Sequence, residues 1–265
     1  MSAAPLFPLF ALCRHRMGSD GAGVTTLAAA RGCPLRCRYC LNPQALKEET
    51  PARMVAPEEL YEMTRVDDLY FQATLGGVTF GGGEPLLYAP FIAAFRQCCG
   101  KAWRLTAETS LNVPEDLARA ALPALDEVIF DVKDADPAIY RAYTGGDNAR
   151  ALFNLRLALE TLGAQRVLAR VPRIPGYNAE RDVQKSVAAL RKMGVTRFDV
   201  FPYRLPGGGK AGEMDPEPAL CPGPVADMAP GSRPLAGPGK GAQPAAGKTT
   251  PKGKETVAKK LEDVV

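Results

Sequence analysis

The sequence predicts an α/β fold in which parallel strands are covered on both faces by helices. Two patterns carry that expectation. Strand-like and helix-like segments alternate between residues 24 and 203, and such alternation implies parallel strands joined by right-handed crossovers. The strand segments are short and apolar without strict polar alternation, as expected when neither sheet face meets water. Periodicity does not separate an open doubly wound sheet from a barrel. In both architectures the chemistry sits on loops that follow strand C-termini.

The elements follow in order. The first parallel strand is "VTTLAAA", residues 24–30, and "PEELYEMTRV" supplies a helix after it. "GVTF" (77–80) is the second strand, followed by the helix "APFIAAFRQC". "RLTAET" (104–109) precedes the helix "PEDLARAAL", and "EVIFDVK" (127–133) precedes "ARALFNLRLALETLG". "RVLARV" (166–171), the helix "AERDVQKSVAALRKMG" and the strand "RFDVFPY" (197–203) complete six β units. Leu152, Leu155, Leu159 and Leu162 recur at helical spacing and mark one buried stripe. Several helices open on an early proline, and two close on Gly163 and Gly194.

The two ends differ from the middle. The start, "MSAAPLFPLFALCRHR", has no basic residue ahead of its apolar stretch and no small-residue cleavage pattern, so a secretory signal is not expected. After Tyr203 no Phe, Trp or Tyr occurs, and Gly and Pro become too frequent for a packed fold. The expected division is an N-terminal segment (1–16), one main domain (17–206) and a disordered low-complexity tail (207–265). The tail's composition fits a linker, an adaptor or a frameshifted gene end.

A net charge of +4 over 265 residues gives no electrostatic case for nucleic acid or a membrane surface. No apolar run is long enough to span a bilayer. Seven cysteines, an odd count with three of them clustered, suit intracellular thiolate chemistry better than a disulfide framework. The expected location is therefore the cytoplasm.

The cluster lies in "GCPLRCRYCLNP", residues 32–43, where Cys33, Cys37 and Cys40 are spaced by four and then three. Thiolates are soft donors that suit zinc or iron–sulfur clusters. A structural zinc site takes four protein ligands, and no second CxxC follows. His15, the sole histidine, reads as a loop residue. Cys98 and Cys99 are adjacent on a helix and read as core, while Cys13 and Cys221 lie singly in the sequence. Three ligands leave an open position, which is what a catalytic metal site needs.

Cys33-x3-Cys37-x2-Cys40, with Tyr39 before the last cysteine, resembles the signature of the radical S-adenosylmethionine (radical SAM) family. The resemblance implies a partial (βα)6 TIM-like barrel and a [4Fe–4S] cluster on those three cysteines. S-Adenosylmethionine would chelate the fourth iron, and one-electron reduction would cleave its sulfonium to release a 5′-deoxyadenosyl radical.

Further stretches resemble the glycyl-radical-enzyme activating enzymes of pyruvate formate-lyase type. "DGAGV" (20–24) stands where those have a "DGPGI"-like element, and "GGGEPLL" carries their "GGE". That match implies that Gly82, Gly83 and Glu84 meet the amino group of S-adenosylmethionine. "FDVKDADPAIYRAYTGGDN" resembles their fourth-strand segment, which implies Lys133 for the S-adenosylmethionine carboxylate and Asp131 for the neighbourhood of a monovalent cation. "RVPRIPGYN" implies Arg170 on the cofactor side. The third-strand element reads Glu108-Thr109-Ser110-Leu111 where the activating enzymes have "DTNG". Glu108 is therefore a longer acid at that cofactor position. Ala22 and Arg204 likewise replace a Pro and a His, and no ferredoxin-like insert with extra cysteines is present.

The chemistry of these residue types agrees with the resemblance. Glycines allow close backbone approach, and a carboxylate suits an ammonium. Asp131 and Lys133 alternate and share a face. The implied partners are a glycyl radical enzyme as protein substrate and a flavodoxin or ferredoxin-type reductant. Two other readings stand beside this one: a radical enzyme acting on a small molecule or another peptide, and a degenerate iron–sulfur or zinc protein without catalysis. Alone, Gly81 to Glu84 is a tight strand-to-helix turn and Asp131–Lys133 a surface salt bridge.

Overall fold

The computed structural model describes residues 4–203. Arg204, Cys221 and the expected tail at 207–265 lie outside the described residues. The strands are β1 (Phe7–Met17), β2 (Val24–Ala30), β3 (Arg53–Val55), β4 (Gly77–Gly82), β5 (Arg104–Thr109), β6 (Glu127–Asp131), β7 (Val167–Arg173) and β8 (Arg197–Pro202). The helices are α1 (Pro57–Thr64), α2 (Asp68–Thr74), α3 (Ala89–Cys99), α4 (Glu115–Ala121), α5 (Pro137–Thr144), α6 (Ala149–Leu162) and α7 (Glu180–Lys192). All the strands join one sheet in the order β3-β1-β2-β4-β5-β6-β7-β8.

The pairs β2–β4, β4–β5, β5–β6, β6–β7 and β7–β8 are parallel. These are the six expected β units, each beginning within one residue of its expected start. The arrangement is that of a partial TIM-like barrel, with a helix packed outside most crossovers. β1 adds an antiparallel strand beside β2, and the three-residue β3 adds another beside β1. The segment set apart as 1–16 is therefore largely a strand of the sheet. Phe7 to Cys13 is a continuous buried run, so it shows no alternation, and β3 is too short to show any pattern. His15, expected in a loop, lies in β1 at a register shift, with φ +57°.

Aromatic packing fixes the β1, β4 and α3 layer. Phe7 stacks on Phe91 at 4.9 Å, and Phe80 meets Phe95 edge-on at 5.5 Å. Trp103 is buried and donates its indole N–H to Asp68 at 2.6 Å. On α6, Leu155 is fully buried, while Leu152, Leu159 and Leu162 pack beside it against the core. Cys99 joins the core and Cys98 is half-buried, as expected of the pair.

The β1–β2 loop closes the barrel interior. Asp20 is 3% exposed, and its main-chain carbonyl accepts a hydrogen bond from Thr79 Oγ1 at 2.5 Å. Gly21 has φ +120°, and a Cβ there would lie 3.1 Å from Thr106 Oγ1. "DGAGV" thus runs across the inward faces of β4 and β5, where only a glycine fits at position 21.

Candidate active site

A cavity of about 520 Å³ opens at the C-terminal ends of the parallel strands. Every site residue expected from the sequence lines it: Cys33, Cys37 and Cys40, Gly82 to Glu84, Glu108, Asp131, Lys133 and Arg170. The position follows from the fold, because strand ends are where side chains from different β units converge.

The cysteine loop leaves β2 at Ala30 and is tied down on both sides. Gly32 N–H donates to Ala45 O at 2.7 Å. Arg36 and Arg38 N–H donate to Thr144 O and Tyr143 O at 2.9 and 3.0 Å, which stitches the loop to the end of α5. The hydroxyls of Tyr143 and Tyr203 both point at the main-chain carbonyl of Tyr39. Tyr177 completes this aromatic nest, 5.7 Å from the Tyr39 ring and 5.2 Å from that of Tyr143.

The three thiols are free. Burial pushes Cys33 up to about 12 and raises Cys37 and Cys40 as well, with the Lys133 charge pulling the other way on each. A bare thiolate is unfavourable there, and a metal that replaces the proton removes that penalty. Among the described residues, no three Cys, His, Asp or Glu side chains close around a single ion. Three free thiols lining the same cavity suit a cluster that places each ligand on a separate iron. The donor set therefore fits three-point attachment of an iron–sulfur cluster.

The glycines do something the sequence reading did not assign. Gly83 N–H donates to Ala30 O and Glu84 N–H to Gly32 O, both at 2.8 Å. A Cβ on Gly83 would lie 2.1 Å from Gly32 O, and one on Gly82 (φ +87°) 2.8 Å from the Ala29 Cβ. The missing side chains let the "GGE" turn continue the β2–β4 ladder into the cysteine loop. Glu84 then sits 1% exposed between four donors. Thr109 and Ser110 hydroxyls donate at 2.6 Å, Ser110 N–H at 2.9 Å and Leu86 N–H at 3.2 Å. Burial outweighs these donors and raises its carboxyl above the ordinary range. A cationic partner in the cavity would relieve that.

The interior wall is a charge network. Arg170 on β7 reaches three elements: Glu108 Oε1 at 2.5 Å, Ser19 O at 2.6 Å and Asp199 Oδ2 at 3.3 Å. Lys133 donates to Asp131 Oδ2 at 2.8 Å from a left-handed backbone, φ +61°. Burial works to lower Lys133, but the Asp131 and Cys37 charges hold it above its ordinary value. Burial and the Asp131 charge push Glu108 up to about 7 against the pull of Arg170. Asp131 and Glu108 each have a side-chain cation as counter-ion, so the monovalent cation implied by the resemblance finds no support here.

Leu111, at the "DTNG"-like element, has φ +55°, the conformation that glycine adopts without strain. Sequence reasoning missed Arg16, Ser19, Thr109, Ser110, Tyr143 and Asp199 among the lining residues. Thr109 and Ser110 could have been found as neighbours of Glu108 at the end of β5. Ser19 and Asp199 carry no local signal.

Comparison with known proteins agrees with this geometry. Residues 28–188 match the family model described as Radical SAM superfamily. The chain is 30% identical over 203 residues to a pyruvate formate-lyase-activating enzyme of Staphylococcus aureus, covering 71% of this chain and 78% of that one. It is 27% identical to the pyruvate formate-lyase 2-activating enzyme of Escherichia coli, with 83% and 87% covered. It is also 27% identical to an isethionate sulfite-lyase activating enzyme of Desulfovibrio desulfuricans, with 72% and 81% covered. Among solved structures, Streptococcus suis SuiB bound to S-adenosylmethionine shares the fold, with a TM-score of 0.51 and 17% identity over 69% of this chain and 41% of that one. The motif, the cavity and the matched span agree, and the chain is an enzyme of the radical SAM superfamily.

Proposed function

We propose that this enzyme binds a [4Fe–4S] cluster through Cys33, Cys37 and Cys40 and reductively cleaves S-adenosylmethionine to place a glycyl radical on a partner enzyme. The observation that carries the reading is that three free thiols share one cavity with a buried carboxylate and two cations. When bound, the cluster and S-adenosylmethionine supply the radical chemistry. The chain's own residues bind, orient and shield. Glu84, held by four donors, offers a carboxylate to the substrate ammonium, and Lys133 and Arg170 offer cations to its carboxylate. Glu108 and Asp131 hold those cations in place. The tyrosine nest packs on the cysteine loop, with Tyr39, Tyr143 and Tyr203 lining the cavity, and limits water there.

The relatives' names support a protein substrate that is itself a glycyl radical enzyme, since all three relatives named above are activating enzymes. A flavodoxin or ferredoxin-type reductant supplies the electron. No helix among the described residues is long and apolar enough to cross a membrane.

Anaerobic reconstitution tests the proposal. The expected result is about four irons per chain, loss of the cluster in Cys37→Ala, and 5′-deoxyadenosine on reduction with S-adenosylmethionine. A reduced cluster that leaves S-adenosylmethionine intact would sink it. An organic radical on a glycine of pyruvate formate-lyase, seen by electron paramagnetic resonance, would decide the partner class. Cleavage without any such radical would favour a small molecule or another peptide.

A further inference from the structure

The helical layer over β2 carries an apolar patch that faces solvent. Among the described residues ten large apolar side chains are exposed, and four of them, Val66, Leu69, Tyr70 and Leu75, fall between positions 66 and 75. Val66, Leu69, Tyr70 and the exposed Ala73 are spaced i, i+3, i+4 and i+7, which sets them on one face of α2 and the turn before it. The inward face of α2 buries Phe71. The outward face of a surface helix is ordinarily polar, and here it is an apolar stripe.

β1 extends the patch. The His15 ring meets Tyr70 edge-on at 4.9 Å. Met17, 74% exposed, is the register partner of Val24, whose N–H donates to Thr74 Oγ1 at 2.8 Å beside Leu75. Leu75 ends α2 with φ +57°, where glycine or asparagine sits without strain. It is 78% exposed, so no burial within the chain offsets that strain.

Charge and area select the partner. The charged groups around the stripe are engaged within the chain: Arg14 with Asp67, Arg16 with Asp20, Arg65 with Glu62, and Asp68 with the Trp103 and Gln72 N–H groups. Such a surface has little to offer a strongly acidic or basic partner, and it meets its own copy without like-charge repulsion. The exposed apolar area is roughly 600 Å², the upper end of what a monomer leaves in one patch. Two copies would bury about 1,200 Å², the lower end of a stable interface.

We propose that Met17, Val66, Leu69, Tyr70 and Ala73 form a two-fold interface through which two copies of this chain associate. The interface is isologous, with α2 of one copy against α2 of the other. Leu75 is buried at its edge, and that burial offsets the backbone strain. Met17 and Leu75 lie by the starts of β2 and β4, whereas the cavity opens at the strand C-termini. Both cavities of the pair therefore stay open.

The test is the oligomeric state of the full chain, kept anaerobic and reduced so that free thiols do not link copies. Sedimentation equilibrium should show a monomer–dimer equilibrium in the micromolar range, the weak end for an interface of this size. Leu69→Lys sets two ammonium groups near the axis and should weaken the dimer on the order of a hundredfold. Leu75→Gly relaxes the backbone yet should weaken the dimer about tenfold. Both positions are exposed in the single chain, so neither variant should lower the urea midpoint of dilute, monomeric protein. Phe153→Lys, at an exposed apolar position on α6, should dimerise as wild type does.

A chain still monomeric at about 100 µM would overturn the proposal. So would a dimer undiminished by Leu69→Lys or Leu75→Gly, or one weakened equally by Phe153→Lys, since each places the interface elsewhere. Hydrogen exchange at residues 66–75 that is protected equally at every concentration would also overturn it, by showing that the chain covers its own patch. None of these measurements involves 5′-deoxyadenosine, so the interface and the proposed function fail separately.

Discussion

Two acid–arginine clusters in this chain have similar ingredients and opposite electrostatic outcomes. Asp67, just before α2, takes Arg14 Nε and Nη2 at 2.8 and 2.5 Å, His15 Nε2 at 3.0 Å and Thr26 Oγ1 at 2.9 Å. Glu108 takes Arg170 at 2.5 Å inside the cavity. Burial works against Asp67, yet its hydrogen bonds from Arg14 and Thr26 hold it below its ordinary value. Glu108 rises to about 7, because burial and then the Asp131 charge outweigh Arg170. The difference is company. Asp67 faces donors only, while Glu108 shares its space with Asp131 and Asp20. Thr26 faces away from the cavity that its neighbour Leu27 lines, so the Asp67 cluster is structural. Crowded acids beside a cavity hold charge for something else to bind.

The largest stability effect should come from the structural cluster. Asp67→Ala strands Arg14 and His15 and unpairs Thr26 from a side chain that is 0% exposed. We expect a loss of about 2–4 kcal/mol in urea unfolding, discounted from a fully buried pair because Arg14 is 34% exposed. Cluster uptake by the folded fraction should be normal. If Asp67→Ala instead weakens S-adenosylmethionine binding in folded protein, the division between the two clusters is wrong.

Next comes the pH dependence of Glu108. A carboxyl whose folded value lies above its ordinary value binds its proton more tightly when folded. Stability from that group is complete below the ordinary value and declines as pH rises to about 7. We expect wild type to lose about 1–3 kcal/mol between pH 4.5 and 7 relative to Glu108→Gln. Asp67 has the opposite sign, since a lowered value contributes stability that is lost only as pH falls through it. Parallel wild-type and Glu108→Gln curves over that range would remove the crowding argument.

The two clusters also show what a sequence can and cannot disclose. Cys33, Cys37 and Cys40, and Gly82 to Glu84, are each one short segment, so spacing alone marks them. The six parallel strands were equally legible, because each is a local apolar run between turns. Arg170 to Ser19 spans 151 positions and Arg170 to Asp199 spans 29, and such pairs exist only once the strand ends converge. The tyrosine nest draws Tyr39, Tyr177 and Tyr203 from three loops and Tyr143 from the end of α5 for the same reason. β1 was missed because a strand buried along seven residues looks the same as any apolar segment.

Leu111 is a smaller test, on the site side. Its φ of +55° is strained for a branched side chain by about 1–2 kcal/mol, yet the side chain is 0% exposed in the core. Leu111→Gly relieves the strain but empties a leucine-sized volume, which costs about 2–5 kcal/mol. The net expectation is a loss of about 1–3 kcal/mol with the Thr109 and Ser110 contacts to Glu84 preserved. A more stable Leu111→Gly would mean that backbone strain, not packing, governs this turn.

The smallest stability changes come from a matched pair, and they separate the clusters most cleanly. His15 and Lys133 both hold a left-handed backbone, φ +57° and +61°, and each contacts an acid, Asp67 and Asp131. Asparagine tolerates that backbone, so His15→Asn and Lys133→Asn change the side chain with little added strain. Asp67 keeps Arg14 and Thr26 in the first variant, and Asp131 is 28% exposed on its side chain in the second, so solvent replaces part of what it loses. Both should cost no more than about 1 kcal/mol in unfolding. Binding should split them. His15→Asn should bind S-adenosylmethionine as wild type does, while Lys133→Asn, having lost a cation from the cavity wall, should bind it at least about tenfold more weakly, the loss of one charge-assisted hydrogen bond. Equal binding in the two variants would mean that Lys133, like His15, is there to satisfy its acid and not to hold a ligand.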